Sequence, residues 1–220
     1  MAKRKFYRYP LYLLTRLGAG LLLILPRRWA LALANGVGHL GYGLVSRQRT
    51  KILENLKFAY GDTKSSEELE TIGRRVMGHM LQTAVDFLRF ATLSRDQAAS
   101  FVEAGEAYSF CKDILQEGRG LIIITAHLGN WELLPEVFGL QGFRGGVVGR
   151  RIYYEPYNQW IVGLRNYVGF RTIYQDEAVR QIHAHLKAGE IVGLLPDQDR
   201  DSVRGIFSFF AVAESQACWT

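Results

Sequence analysis

The chain has 220 residues, a net charge of +6, and 48% hydrophobic against 22% charged residues. That balance excludes disordered, collagen-like and disulfide-scaffold proteins, and the length suits one domain, or one domain with an appendage. The two cysteines, Cys111 and Cys218, supply neither a disulfide framework nor metal-ligand spacing.

The charge is unevenly placed. Residues 1–53 hold ten basic side chains and no acid; the first acidic residue is Glu54. The rest of the chain carries seventeen basic and twenty-one acidic groups, a net of −4. Residues 11–25 (LYLLTRLGAGLLLIL) are apolar, interrupted by Arg16 and ended by Pro26-Arg27-Arg28. The clean run Leu17–Leu25 is shorter than the roughly 20 residues of a spanning helix. No small-x-small cleavage site follows, so a signal peptide fits poorly. Three readings stay open: an interfacial or tilted membrane anchor, a single span with Arg16 snorkelling, and a buried soluble helix. In the first two, Lys3, Arg4, Lys5 and Arg8 favour a cytoplasmic N-terminus. No aromatic-interleaved basic patch or recognition element points to nucleic acid. The expected division is a basic apolar arm over 1–46, membrane-associating, and a body over 47–220.

The body opens with an amphipathic helix over 47–60, ended by Gly61. Ser65-Ser66-Glu67-Glu68 is a helix start with early acids. The helix that follows reaches about Phe90, with Leu69, Ile72, Val76, Met80, Thr83 and Phe87 at helical spacing. His79 in this helix reads as structural or surface. After about residue 100, short apolar runs alternate with helical stretches. Gly120–Thr125 reads as a buried strand, 132–140 as a helix, Gly146–Gly149 as a strand and 156–168 as a helix. Arg171–Tyr174 reads as a strand, 177–188 as an amphipathic helix and Ile191–Leu195 as another buried strand. This alternation predicts an α/β fold with a mostly parallel central sheet flanked by helices. His183 and His185, two apart on a helix, cannot share a face and read as solvated. No Cys/His cluster suggests a metal, and no glycine-rich loop suggests a nucleotide.

In such sheets ligands sit at the carboxyl ends of strands. Two strands end in polar clusters, His127-Leu-Gly-Asn130-Trp131-Glu132 and Pro196-Asp197-Gln198-Asp199, and both can converge on one cleft. On a continuous helix, His127 and Glu132 would be about 140° apart. A strand end followed by a turn at Gly129 lets them meet. Glu132 would then accept the Nδ1–H of His127 and leave Nε2 as a general base. No serine or cysteine nucleophile accompanies them, so the hydroxyl of an acceptor would attack directly. The alternative is a satisfied histidine at a strand end.

The His127-x4-Glu132 block after a strand resembles that of the lysophospholipid acyltransferases, and in detail the lipid A biosynthesis (lauroyl/myristoyl) acyltransferases of Gram-negative bacteria. Val147-Val-Gly-Arg150-Arg151 with Pro156, Asn158 and Arg165–Gly169 resembles the family's second block. Leu195-Pro-Asp197-Gln198-Asp199 with Gly205–Phe210 resembles its third. The resemblance implies a glycerolipid acyltransferase-like fold. It implies transfer of a fatty acyl chain from an acyl-carrier-protein thioester to a hydroxyl of a membrane glycolipid of the lipid A precursor type. The carrier protein, the glycolipid and the membrane surface would be the partners, at the cytoplasmic face of the inner membrane. No cofactor or metal is expected beyond the thioester donor.

In that reading His127 is the base and Glu132 orients it. Arg151 or Arg150 donates to the oxyanion, and Arg165 holds an acidic headgroup or the carrier's phosphate. Asn130 and Trp131 shape the turn or contact substrate, and Asp197 and Gln198 support the site or the fold. The alternatives are transfer to a lysophospholipid or a mannosylated phosphoinositide, and an inactive membrane-bound module. The segment after Phe210 matches the family pattern poorly, so the expectation is a chain truncated at its C-terminal end.

Overall fold

A computed structural model describes residues 6–100, 105–166 and 169–197. They form two compact units, which divide at Arg89/Phe90. The boundary expected at 46 falls between two helices of the first unit.

The first unit contains α1 (Arg8–Ile24), α2 (Arg27–Leu44), α3 (Ser46–Tyr60) and α4 (Ser66–Phe90). Ser65 and Glu68 start α4 with reciprocal bonds. The Ser65 backbone N–H donates to the Glu68 carboxylate at 2.8 Å, and the Glu68 N–H donates to the Ser65 hydroxyl at 3.3 Å. The backbone bond from Ser65, ahead of its hydroxyl, holds the Glu68 carboxyl below its ordinary pKa. One face of α2 carries the buried Ala30, Ala34, Gly38 and Tyr42, a four-residue spacing that keeps them in line.

That face meets α4 in antiparallel order. Ala30 and Ala34 cluster with Val85, Gly38 opposes Gly78, and Tyr42 opposes Gly73. At Gly38 a Cβ would stand 2.6 Å from the Gly78 Cα, so the two backbones approach only because both positions lack a side chain. Tyr42 donates to Glu70 at 2.8 Å, and Arg27 forks onto Asp86 through two 2.8 Å bonds. The Arg89 guanidinium donates to the carbonyls of Leu22 and Leu25 at 2.9 Å, satisfying the open end of α1. Of the expected α4 face, Leu69 and Phe87 are buried. Met80 is exposed, and Gly73, Gly78 and Val85 are among the residues of α4 that meet α2. His79 is exposed.

The second unit adds α5 (Arg95–Ser100) and α6 (Glu106–Gln116), then β1 (Leu121–Ile124), α7 (Leu134–Leu140), β2 (Gly145–Gly149), α8 (Glu155–Arg165), β3 (Phe170–Tyr174), α9 (Ala178–Lys187) and β4 (Ile191–Leu194). Single 3-10 turns, Trp131–Leu133 and Gln175–Glu177, lead into α7 and α9. The four strands are all parallel in the order β1-β4-β2-β3. The parallel sheet follows the sequence reading, and strand ends agree to within a residue. Helix α6 was not among the expected elements, although Tyr108, Cys111 and Leu115 recur on one of its faces.

The steps β1 to β2 and β2 to β3 run one way across the sheet, and β3 to β4 runs back. Right-handed crossovers then place α7 and α8 on one face and α9 on the other. Leu121, Ile191, Gly145 and Phe170 stand in register. Their face packs on Cys111 of α6 and Phe138 of α7. Burial in this cluster raises the Cys111 thiol above its ordinary pKa. On the opposite face Ile173 and Val192 are fully buried, and His185 of α9 lies over Gly146.

Two expectations need correction here. Among the described residues β1 stands at the edge of the sheet and is buried on one face only: Ile122 and Ile124 are exposed, since α9 packs over β2, β3 and β4. His185 is half-buried with Nδ1 against the Glu190 carboxylate at 2.5 Å, while His183 is exposed. The helix expected over 156–168 ends at Arg165, with 167–168 outside the described residues. The truncation expected near Phe210 also concerns residues outside them.

Candidate active site

The site forms where β1, β4 and β2 end. Thr125 continues the ladder past β1, its N–H donating to Leu194 of β4 at 2.9 Å. The chain then turns. Leu128 N–H reaches back to the Ala126 carbonyl at 2.8 Å, and Gly129 takes a φ of +55°, a conformation glycine adopts without steric cost. This turn delivers His127 at the strand end and Trp131 and Glu132 into the first turn that follows. Because β1 and β4 are neighbours, the residues after β4 arrive beside His127. The Asp197 carboxylate grips it twice: Oδ2 accepts the His127 backbone N–H at 2.8 Å, and Oδ1 lies 2.6 Å from Nδ1. The imidazole also meets the Trp131 ring edge-on, with centroids 5.1 Å apart.

Glu132 faces a different partner. Arg165, in the last turn of α8, forks onto it: Nε donates to Oε2 at 2.8 Å and Nη2 to Oε1 at 2.6 Å. Both side chains are largely but not fully buried. This geometry is the bidentate arrangement in which an arginine–carboxylate pair is strongest.

A pocket of about 350 Å³ opens between these groups, within the range of small-molecule sites. His127, Trp131, Glu132, Arg150 and Arg165 line it together with Val147, Ile152, Phe170 and Leu195. A second, apolar pocket of about 30 Å³ shares Trp131, Pro135, Val147, Phe170 and Leu195 with it and reaches Phe138 and Ile191 in the core. Arg151 stands apart, its guanidinium 3.9 Å from the centre of the Tyr174 ring. The buried Asn158 ties this region down, accepting from the Ile152 backbone N–H at 2.9 Å and donating to the Tyr174 hydroxyl at 2.8 Å. Among the described residues, no group of three or more His, Cys, Asp or Glu side chains could hold a metal ion.

A family model for the bacterial lipid A biosynthesis acyltransferases matches residues 1–218. The chain belongs to that family. No curated protein matches it. Membership makes the chemistry acyl transfer and implies a lipid acceptor.

Within this family member, the sequence-predicted residues fall into three groups. His127, Trp131, Glu132, Arg150 and Arg165 line one pocket. Asp197 joins them through His127. Asn130 stands half-buried at the start of the 3-10 turn, where its carbonyl accepts the Leu133 N–H at 3.1 Å, and is not among the lining residues. Gln198 lies outside the described residues.

Two assignments change. The His127–Glu132 pair expected from their spacing does not form; Asp197 takes the Nδ1 and Arg165 takes the carboxylate. The β1–β4 pairing brings in a carboxylate seventy residues away. Arg151, named first as the oxyanion donor, packs on Tyr174, while its neighbour Arg150 lines the pocket. Sequence reasoning missed Arg171, Thr172 and Gln175, which line the pocket from β3 and the turn after it. Gln175 carried the signal of the other strand ends, directly after β3, whereas Arg171 and Thr172 lie in the first half and middle of that strand and carried none.

Proposed function

We propose that the protein transfers a fatty acyl chain from an acyl-carrier-protein thioester to a hydroxyl of a membrane glycolipid of the lipid A precursor type, at the cytoplasmic face of the inner membrane. The observation that carries this reading is the Asp197 grip on His127 at the mouth of the pocket. A carboxylate accepting the Nδ1–H fixes the tautomer and leaves Nε2 as the proton acceptor. Nε2 takes the proton of the acceptor hydroxyl as its oxygen attacks the thioester carbonyl carbon. The tetrahedral oxyanion collapses, the C–S bond breaks, and the leaving thiolate recovers the proton from the imidazolium. Among the described residues, no serine or cysteine lines the pocket, which favours direct transfer over a covalent acyl-enzyme.

Arg150 is the donor for the developing oxyanion or for an anionic part of either substrate. The Glu132–Arg165 fork positions that wall of the pocket. The apolar floor shared by the two pockets supports a role in receiving the first carbons of the acyl chain. Acyl-free and acylated products, separated by mass after incubation of the full chain with acyl carrier protein thioester and lipid A precursor, test the reading. Transfer to the glycolipid is the expected outcome. Transfer only to a lysophospholipid or a mannosylated phosphoinositide would contradict the acceptor, and transfer from a free fatty acid or coenzyme A thioester in preference to the carrier would contradict the donor.

A further inference from the structure

Arg150 and Arg165 both line the pocket, but they are held in different ways. Arg165 is fixed by its fork with Glu132. Arg150 is exposed, and among the described residues no carboxylate pairs with it. A long side chain without a partner keeps its rotamer freedom, so where its head can reach depends on where the backbone sets its Cα. That backbone belongs to a short connection, residues 150–154, between the end of β2 at Gly149 and the start of α8 at Glu155.

One buried side chain ties the connection down. Asn158 stands at the end of the first turn of α8 and is 1% exposed. Its own backbone N–H already donates to the Tyr154 carbonyl at 3.0 Å, so the side-chain amide is not needed to complete the helix. Asparagine is a poor helix former, and burying its amide is unfavourable unless the amide is hydrogen-bonded. Here both of its bonds leave the helix. Oδ1 accepts the Ile152 backbone N–H at 2.9 Å, two residues beyond Arg150. Nδ2 donates to the Tyr174 hydroxyl at 2.8 Å, at the last residue of β3. A backbone N–H can only donate, which orients the amide with its oxygen toward the connection. The three segments that meet at Asn158 all contribute to the pocket: Arg150 and Ile152 from the connection, Thr172 from β3, and Arg165 from the far end of α8. We propose that Asn158 is a positioning residue for Arg150. Its amide pins the connection at Ile152 to the end of β3 and thereby sets the Arg150 guanidinium at the pocket. The inference rests on the reading above, in which Arg150 serves an anion during acyl transfer.

A double-mutant cycle of Asn158→Ala and Arg150→Ala tests it, in the full chain with acyl carrier protein thioester and lipid A precursor. Asn158→Ala alone is expected to lower kcat/KM about five- to tenfold, close to the loss in Arg150→Ala. In the Arg150→Ala background the same substitution is expected to lower it less than about twofold, because the residue it positions is gone. Asn158→Asp keeps an acceptor for the Ile152 N–H and is expected to recover most of the lost kcat/KM, while the buried carboxylate lowers its thermal midpoint. Tyr174→Phe removes only the other bond and is expected to act in the same direction by a smaller factor, so it closes the cycle where Asn158→Ala does not fold. Amide hydrogen exchange at Ile152 reads the tie without any turnover, and protection is expected to fall at least about tenfold in Asn158→Ala. Equal fold losses from Asn158→Ala in the two backgrounds, no loss in either, or unchanged exchange at Ile152 would overturn the proposal while leaving the acyl-transfer reading intact. A parent-like kcat/KM in Arg150→Ala would contradict that reading of Arg150 and the proposal together.

Discussion

The two walls of the pocket each present a carboxylate next to a nitrogen base, yet they serve different ends. On the β1–β4 wall, Asp197 holds an imidazole by Nδ1, and the second ring nitrogen is a proton acceptor in that tautomer. On the α8 wall, Glu132 holds a guanidinium, which offers donors and no acceptor. The first pairing stores a tautomer; the second fixes a charge and the shape of the cavity. Sequence spacing alone would give His127 the carboxylate of Glu132, and the contrast teaches that a partner is set by which strands are neighbours rather than by distance along the chain.

Substitutions can break this comparison at several points. His127→Ala removes the base itself, and kcat is expected to fall on the order of 10³-fold with the thermal midpoint nearly unchanged. Asp197→Asn keeps the shape but can no longer insist on the Nδ1–H tautomer. A loss of roughly 10²-fold in kcat, with little change in KM for the thioester, is expected in steady-state assays. Glu132→Gln acts differently, because it leaves the Arg165 cation largely buried without its counter-charge. The fork is partly solvated, so about 1–2 kcal/mol of stability should be lost in chemical denaturation, and KM should rise along with any fall in kcat. At the small end, Arg150→Ala should weaken substrate turnover about tenfold in kcat/KM. Arg151→Ala should leave kcat/KM near the parent value and cost about 0.5–1 kcal/mol of stability from the lost contact with Tyr174.

Much of the fold was legible because the strands are short, apolar and bounded by glycine or polar turns. The runs at 121–124 and 191–194 and the helices between strands follow directly from that pattern. The positions of His127 and Asp197 at strand ends were legible for the same reason. Their contact was not, because it depends on β4 inserting between β1 and β2, and that order is set by the crossover back from β3. The local i, i+5 partner looked better in one dimension than the distant one that the sheet supplies. The choice between Arg150 and Arg151 was likewise hidden, since it needs the phase of the chain after β2. In the helical unit, composition placed a boundary near residue 46, where the basic arm ends, whereas Ala30, Ala34, Gly38 and Tyr42 bind α2 to α4 and extend the unit to Arg89. The exposed Ile122 and Ile124 show the same limit: a β-branched run announces a strand but not whether both of its faces are covered.

The most direct test of the account is the protonation pattern of the His127 ring, read by nitrogen-15 NMR of imidazole-labelled protein in the parent, Asp197→Asn and Glu132→Gln. The account predicts a neutral ring carrying its proton on Nδ1 in the parent and in Glu132→Gln, and a mixed or Nε2-protonated ring in Asp197→Asn. A ring that changes tautomer in Glu132→Gln and keeps it in Asp197→Asn would contradict the account and restore Glu132 as the partner of His127.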